Sequence, residues 1–234
     1  MQTIEHNLQR VRERIATACA AAGRDPRQVA LLAVAKTFGP DAVRAAAAAG
    51  QRAFGENYVQ EGLGKIEALR GLGLEWHLIG PLQSNKTRPV AEHFDWVHSI
   101  DRLKVAERLS AQRPPALAPL QVCIQVNVDG GASKSGVAPA EAEALARAVA
   151  GLPRLVLRGL MSIPEPTPDP AAQAVPHRAA RALFDRIAAA RWPGCEHFDT
   201  LSLGMTADLE AAIAAGSTLV RVGTAIFGGR RRAP

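Results

Sequence analysis

A chain of 234 residues that is 47% hydrophobic can bury a large core, and no apolar run in it approaches membrane-spanning length. Its formal charge of +6 raises a nucleic-acid partner, but the basic residues are dispersed and only 4% of the chain is aromatic, so no basic surface interleaved with stacking rings is expected. The charge fits an attraction for phosphorylated metabolites instead.

Ile4, Leu8, Val11 and Ile15 recur at helical spacing, and this amphipathic first helix is expected to end near Gly23, before Asp25-Pro26. The polar start Met1–His6 carries no signal segment. Strand-like runs follow at residues 30–35, 53–55, 75–79, 96–99, 120–128, 155–161, 200–203 and 219–222. Helical stretches alternate with them at 41–49, 58–69, 84–93, 102–111, 139–150, 173–190 and 206–215. Repeated strand–helix units predict an α/β fold, a (β/α)8 TIM barrel with an extra N-terminal helix, as one domain over residues 1–234. An open doubly wound sheet is the alternative, disfavoured because no Gly-x-Gly-x-x-Gly turn follows the first strand. The run from Pro164 to Pro170 reads as a proline-stiffened loop over the barrel mouth, a solvent loop before a lid. Arg230-Arg231-Arg232 reads as a solvated tail. Cys19, Cys123 and Cys195 are far apart with no metal-ligand spacing, which predicts reduced thiols and a cytoplasmic protein.

Lys36 closes the apolar run of the first strand, at the strand end where barrels place their chemistry. A desolvated primary amine there can lose its proton and attack an aldehyde. The plain alternative is a strand-end lysine with its ammonium in water. Strand seven ends in Ser202-Leu203-Gly204-Met205-Thr206, and strand eight in Arg221-Val222-Gly223-Thr224. The loops after these two strands often hold a phosphate in this fold. Gly204 and Gly223 would let the backbone approach it, while Ser202, Thr206 and Thr224 supply hydroxyls. Thr206 is also a candidate N-cap. Ordinary turns explain either loop alone; both together point to a phosphate.

Alternation along strand eight puts Val220 and Val222 on one face and Arg221 on the other, inside the barrel, where its charge needs a salt bridge or a ligand. Strands one and eight are neighbours in a closed barrel, so Lys36 and the cradle face one cavity. An aldehyde-bearing phosphate ester that spans them is pyridoxal 5′-phosphate (PLP). Lys36 would take its carbonyl carbon, the cradle its phosphate and Arg221 its pyridine ring. Asn57 would reach the ring hydroxyl or the lysine junction, and Met161 and Ile79 would wall the ring. His77 shares a face with Ile79, as a core histidine or a catalytic one. Lys86 and Lys134 fall in loops at the mouth, solvent-exposed or able to help load PLP.

Several stretches carry a resemblance. They are Ala33-Val34-Ala35-Lys36-Thr37, Phe54-Gly55-Glu56-Asn57-Tyr58-Val59-Gln60-Glu61, Trp76-His77-Leu78-Ile79-Gly80-Pro81-Leu82-Gln83-Ser84-Asn85-Lys86, Ser133-Lys134-Ser135-Gly136, Gly159-Leu160-Met161, Ser202-Leu203-Gly204-Met205 and Val220–Gly228. In order and over nearly the whole chain, they resemble the pyridoxal phosphate homeostasis proteins, relatives of the N-terminal barrel of alanine racemase. The resemblance implies a PLP-bound barrel with Lys36 as the Schiff-base residue and Met205 beside the cradle. It further implies a part in vitamin B6 homeostasis and amino-acid/keto-acid balance without established turnover. Thr206 stands where many members carry Ser, and the hydroxyl is kept.

An arginine at the pyridine nitrogen disfavours its protonation and weakens the electron sink that PLP enzymes exploit. Racemases tolerate this but need a second proton-transfer residue, which in the racemase relatives comes from an additional C-terminal domain and a partner subunit. The sequence ends at Pro234 and its one tyrosine is Tyr58, so no such residue is expected. The expectation is a monomeric PLP carrier or regulator with apo PLP-dependent enzymes as recipients, and no nucleic-acid, membrane or metal partner. The rival is a small PLP-dependent racemase or lyase acting on amino acids, with His77 or Lys134 as its proton shuttle.

Overall fold

The computed structural model describes residues 3–131 and 135–229, so Lys134 and Arg230-Arg231-Arg232 lie outside the described residues. A first helix, α1 (Ile4–Ala21), is capped by the Thr3 hydroxyl, which accepts from His6 N–H. Eight parallel strands then close into a barrel in chain order. They are β1 (Ala30–Val34), β2 (Ala53–Glu56), β3 (Glu75–Leu78), β4 (Trp96–Ile100), β5 (Leu120–Gln125), β6 (Leu155–Met161), β7 (Thr200–Ser202) and β8 (Leu219–Val222). Between them run α2 (Pro40–Ala48), α3 (Val59–Ala68), α4 (Thr87–His93), α5 (Leu103–Gln112), α6 (Pro139–Ala150), α7 (Pro170–Ala189) and α8 (Leu209–Ala214), with the short α9 (Thr224–Phe227) after β8. Closure is made by β1 on β8, with Ala30 opposite Leu219 and Leu32 opposite Arg221.

The predicted TIM barrel with its extra helix is the observed fold, and the differences are local. The helix expected from Thr206 starts at Leu209, and Thr206 is not its N-cap: Asp208 holds that position and turns its carboxylate back onto Met205 N–H. Fifth-strand pairing stops at Gln125, short of residue 128. The proline run is loop only as far as Asp169, because Pro170 is the first residue of α7, where its missing N–H costs nothing. Pro176 lies inside that helix and leaves the Ala172 carbonyl without its helical donor.

The main apolar core lies outside the sheet. Val220 and Val222 point outward into it, as alternation requires, together with Phe54, Leu78, Val97, Leu109 and Leu160. Inside the barrel the apolar side chains form two small clusters: Leu32, Val34, Ile79 and Leu219 on one side, and Trp96, Cys123 and Met161 on the other. Polar residues separate them. Cys19 and Cys123 are buried and Cys195 half-buried, all as free thiols, and burial pushes Cys123 up to about 12. Among the described residues no helix is long and apolar enough to cross a membrane, and no cluster of His, Cys, Asp or Glu is arranged to hold a metal ion.

Candidate functional site

The C-terminal ends of the strands surround a cavity of about 310 Å³. Eight residues singled out in the sequence meet on its wall: Lys36, Asn57, Ile79, Met205, Thr206, Arg221, Gly223 and Thr224. They come from β1, β2, β3, β7 and β8 or the loops that follow, which is how a barrel brings distant residues to one mouth. Met161, Ser202 and Gly204 do not line it. Met161 is fully buried in the barrel interior beside Trp96 and Cys123; two residues further on, past the end of β6, Ile163 reaches the wall. Ser202 is fully buried behind Arg221. Gly204 adopts φ +87°, and a Cβ there would stand 2.5 Å from Ala212 Cβ, so it shapes the loop from behind the wall.

His77 and Lys86 stand apart from the cavity as well. His77 is buried deeper in the barrel, against Glu75 and His98. Lys86 ends a 3-10 turn over Ser84–Lys86. The sequence reading did not single out Val34, Thr37, Phe38, Ile163, Ala207 and Gly228 as site residues, and these complete the wall. Phe38 packs its ring 5.3 Å from that of Phe227, drawing the loop after β1 onto α9.

Lys36 is half-buried, and the backbone on both sides of it is tied down. The ties come from Lys65 on α3, which is 4% exposed despite its charge. Its Nζ donates to Ala35 O, Glu56 Oε1 and Glu61 Oε1, each at 2.7 Å. Glu61 Oε1 in turn accepts from Thr37 N–H at 2.5 Å. Ala35 and Thr37 flank Lys36, so one buried ionic cluster brackets it. Thr37 has φ +68°, a strained conformation for a β-branched residue, and the Glu61 bond opposes its relaxation. Burial pushes the Glu56 carboxyl up to about 7 against the pull of Lys65. The sequence signal for Lys65 was faint: a lysine on a helix reads as a solvated face.

Arg221 is 2% exposed. Its Nη1 donates to Ser202 O at 2.6 Å and Ser202 Oγ at 2.7 Å, and its Nη2 donates to Ser162 O at 2.8 Å. Burial pushes its guanidinium down to about 10, partly offset by Asp208, so it stays charged at neutral pH. No direct salt bridge to Arg221 occurs among the described residues: carbonyls and a hydroxyl satisfy part of the fork and leave the rest for the cavity. Nearby, the Thr206 and Thr224 hydroxyls stand 3.4 Å apart across the two loops. Burial would raise the Asp208 carboxyl, but bonds from His177 and Met205 N–H, with the charges of His177 and Arg221, hold it below the usual range. Gly223 packs where a Cβ would meet Val34 O at 3.0 Å. Asn57 Oδ1 is buried and has no hydrogen-bond partner among the described residues.

These features define a (β/α)8 barrel with its ligand cavity at the C-terminal mouth, walled by one lysine, one buried arginine and two hydroxyl-bearing loops. Residues 1–231 match the family of the alanine racemase N-terminal domain, and the chain belongs to that family. It is 59% identical over 230 residues to the pyridoxal phosphate homeostasis protein of Pseudomonas aeruginosa, covering 98% of this chain and 97% of the relative. It is 56% identical over 233 residues to the protein of the same name from Escherichia coli K12, covering 98% of each. Among solved structures, PipY of Synechococcus elongatus with PLP bound is 38% identical, with a TM-score of 0.80, covering 92% of this chain and 100% of that one. Alanine racemase from Corynebacterium glutamicum, at 19% identity and a TM-score of 0.64, covers 98% of this chain and 61% of its own, a likeness of fold alone.

Proposed function

We propose that this chain binds PLP in the cavity, holds it on Lys36 as a Schiff base, and serves to store and deliver it in vitamin B6 homeostasis and amino-acid/keto-acid balance. One observation carries the reading: Lys36, Arg221 and the two hydroxyl-bearing loops share one wall with Asn57, whose buried Oδ1 has no hydrogen-bond partner among the described residues. The residues present fit the group. Bound PLP supplies an aldehyde carbon that joins an amine as an imine with loss of water. Thr206, Thr224 and the Gly223 backbone would hold its phosphate, and Arg221 its ring nitrogen. Asn57 Oδ1 offers an acceptor suited to the ring hydroxyl. Ile79 and Met205 would exclude water from the ring. The Lys65 cluster holds the backbone of Lys36 in place. The names of the relatives and the PLP in PipY support the same ligand.

A carrier is favoured over a racemase or lyase by the make-up of the wall. Its ionisable side chains, among the described residues, are Lys36 and Arg221. An always-charged arginine is a poor proton shuttle, and His77 lies outside the cavity. The purified protein is expected to turn yellow with PLP, and borohydride is expected to fix the group to the Lys36 peptide by mass. A colourless protein, or label elsewhere, overturns the assignment. Deuterium wash-in at Cα of an amino-acid panel tests turnover: exchange abolished in Lys36→Ala would replace the carrier reading with the enzyme. PLP-free forms of PLP enzymes are the proposed recipients, with the protein acting as a monomer; transfer assays and sedimentation equilibrium test these two points.

A further inference from the structure

A chain of side-chain hydrogen bonds crosses the barrel interior from the cavity to the opposite mouth. Arg221 Nη1 on β8 donates to Ser202 Oγ on β7 at 2.7 Å. Ser202 Oγ lies 3.0 Å from His98 Nδ1 on β4. His98 Nε2 lies 2.9 Å from His77 Nδ1 on β3, and His77 Nε2 lies 2.7 Å from Glu75 Oε1. Arg221, Ser202, His98 and His77 are almost entirely buried, whereas the Glu75 side chain is 49% exposed at the far mouth.

With both imidazoles neutral, the carboxylate end sets the direction of every bond back to Ser202, and the guanidinium end agrees with it. Guanidinium only donates and carboxylate only accepts. Ser202 Oγ already accepts from Arg221, and its own proton has one place to go among the described residues, His98 Nδ1. His98 must then carry its proton on Nε2 and donate to His77 Nδ1. His77 must carry its proton on Nε2 and donate to Glu75. Each inner group is matched once as donor and once as acceptor, and both imidazoles are neutral. Burial holds both histidines below their ordinary pKa, His98 the further because His77 and Arg221 also oppose its charge. Glu75, itself facing Arg158, and Asp95 favour the His77 charge without overcoming burial. The two rings are braced by Trp96, which stacks on His77 at 5.1 Å and 7°.

We propose that Ser202, His98 and His77 are positioning residues that hold the Arg221 guanidinium in one orientation toward the ligand, and that they tie the ligand site to Glu75 at the far mouth of the barrel. Neither histidine touches the cavity, so any effect on the ligand runs through Arg221. The proposal rests on the PLP reading for its ligand and, for its tautomers, on the bond geometry with both buried imidazoles neutral. A filler role would predict neither a fixed tautomer nor rescue by a residue of matching polarity.

The test uses the full-length protein, with long-range 15N–1H spectra of the imidazoles and PLP titrations followed by absorbance. Without ligand, His98 and His77 are expected in the Nε2–H form, and Glu75→Leu is expected to release the pair and populate the opposite tautomer at His98. His98→Leu is expected to bind PLP up to about tenfold more weakly, the upper scale of one lost neutral hydrogen bond. His98→Gln, whose carbonyl can accept from Ser202 and whose amide can donate to His77, is expected to recover most of that loss. If His98→Leu does not fold, Ser202→Ala removes the same link by one oxygen and should weaken PLP in the same direction. A wild-type His98 protonated on Nδ1 overturns the proposal, as does unchanged PLP affinity in both His98→Leu and Ser202→Ala. A wild-type protein that takes up no PLP instead overturns the functional reading, and the tautomers still decide the geometric half.

Discussion

Replacing Lys65 by Met keeps most of the side-chain volume and removes only the charge and its bonds. Three charge-assisted bonds of 2.7 Å are lost. Two of them end on Ala35 O and on Glu56, which is fully buried, so water replaces neither easily. The Glu61 end is discounted, because its side chain is 27% exposed. At about 1.5 to 2 kcal/mol for each buried bond to a charged group, Lys65→Met should lose about 3 to 4 kcal/mol at pH 7. The pH dependence makes the argument sharper. With Lys65 present the Glu56 carboxyl sits at about 7; without it, Glu56 must stay protonated in the folded state at higher pH. The unfolded chain ionises it, so Lys65→Met should lose about 1 kcal/mol more from pH 7 to pH 8 than wild type does. The Glu56→Gln/Lys65→Met double variant should lose none of that increment. Urea unfolding at both pH values measures all of these, with slopes checked for constancy. A loss under about 1 kcal/mol at pH 7, or an increment that persists in the double variant, would refute the reasoning.

Glu56→Gln alone tests the sign at lower pH: a carboxyl raised from 4.5 to about 7 keeps its proton longer when folded, so wild type should lose about 3 kcal/mol as pH rises from 4.5 to 7, and the variant should not. His98 acts in the opposite direction, since its folded pKa lies well below 6.5; stability is lost as pH falls beneath 6.5, and His98→Gln should flatten that limb of the urea-unfolding curve. Gly80→Ala would drive a Cβ into the Asn57 backbone, and is expected to weaken PLP binding about tenfold or more in an absorbance titration, by moving Asn57 off the wall. Arg221→Ala is expected to release PLP on gel filtration under conditions where wild type retains it, through loss of a charged partner for the ring.

How much of this was legible depends on how far a residue's meaning lies from its own strand. Arg221 was readable because Val220 and Val222 mark the outer face, and the inward direction follows from a period of two. Lys36 was readable because it ends an apolar run. Met161 faces the barrel interior yet does not reach the wall, because alternation gives the side of a strand and not the depth at which the cavity starts. Lys65 looked like a helix charge, and only the packing of α3 over the end of β1 turns it inward. The polar chain is the extreme case. His77 and His98 each occupy an inward position in their own strand, yet their contact needs the register that sets His77 opposite Trp96, and their link to Ser202 needs the barrel to close. A sequence supplies the groups, but the direction of the bonds between them is fixed only when the fold brings an obligate donor, Arg221, and an obligate acceptor, Glu75, to the two ends of one line. That is why the sequence could name much of the cavity wall, and even Ser202 and His77, but not the line of bonds that runs through them to Arg221.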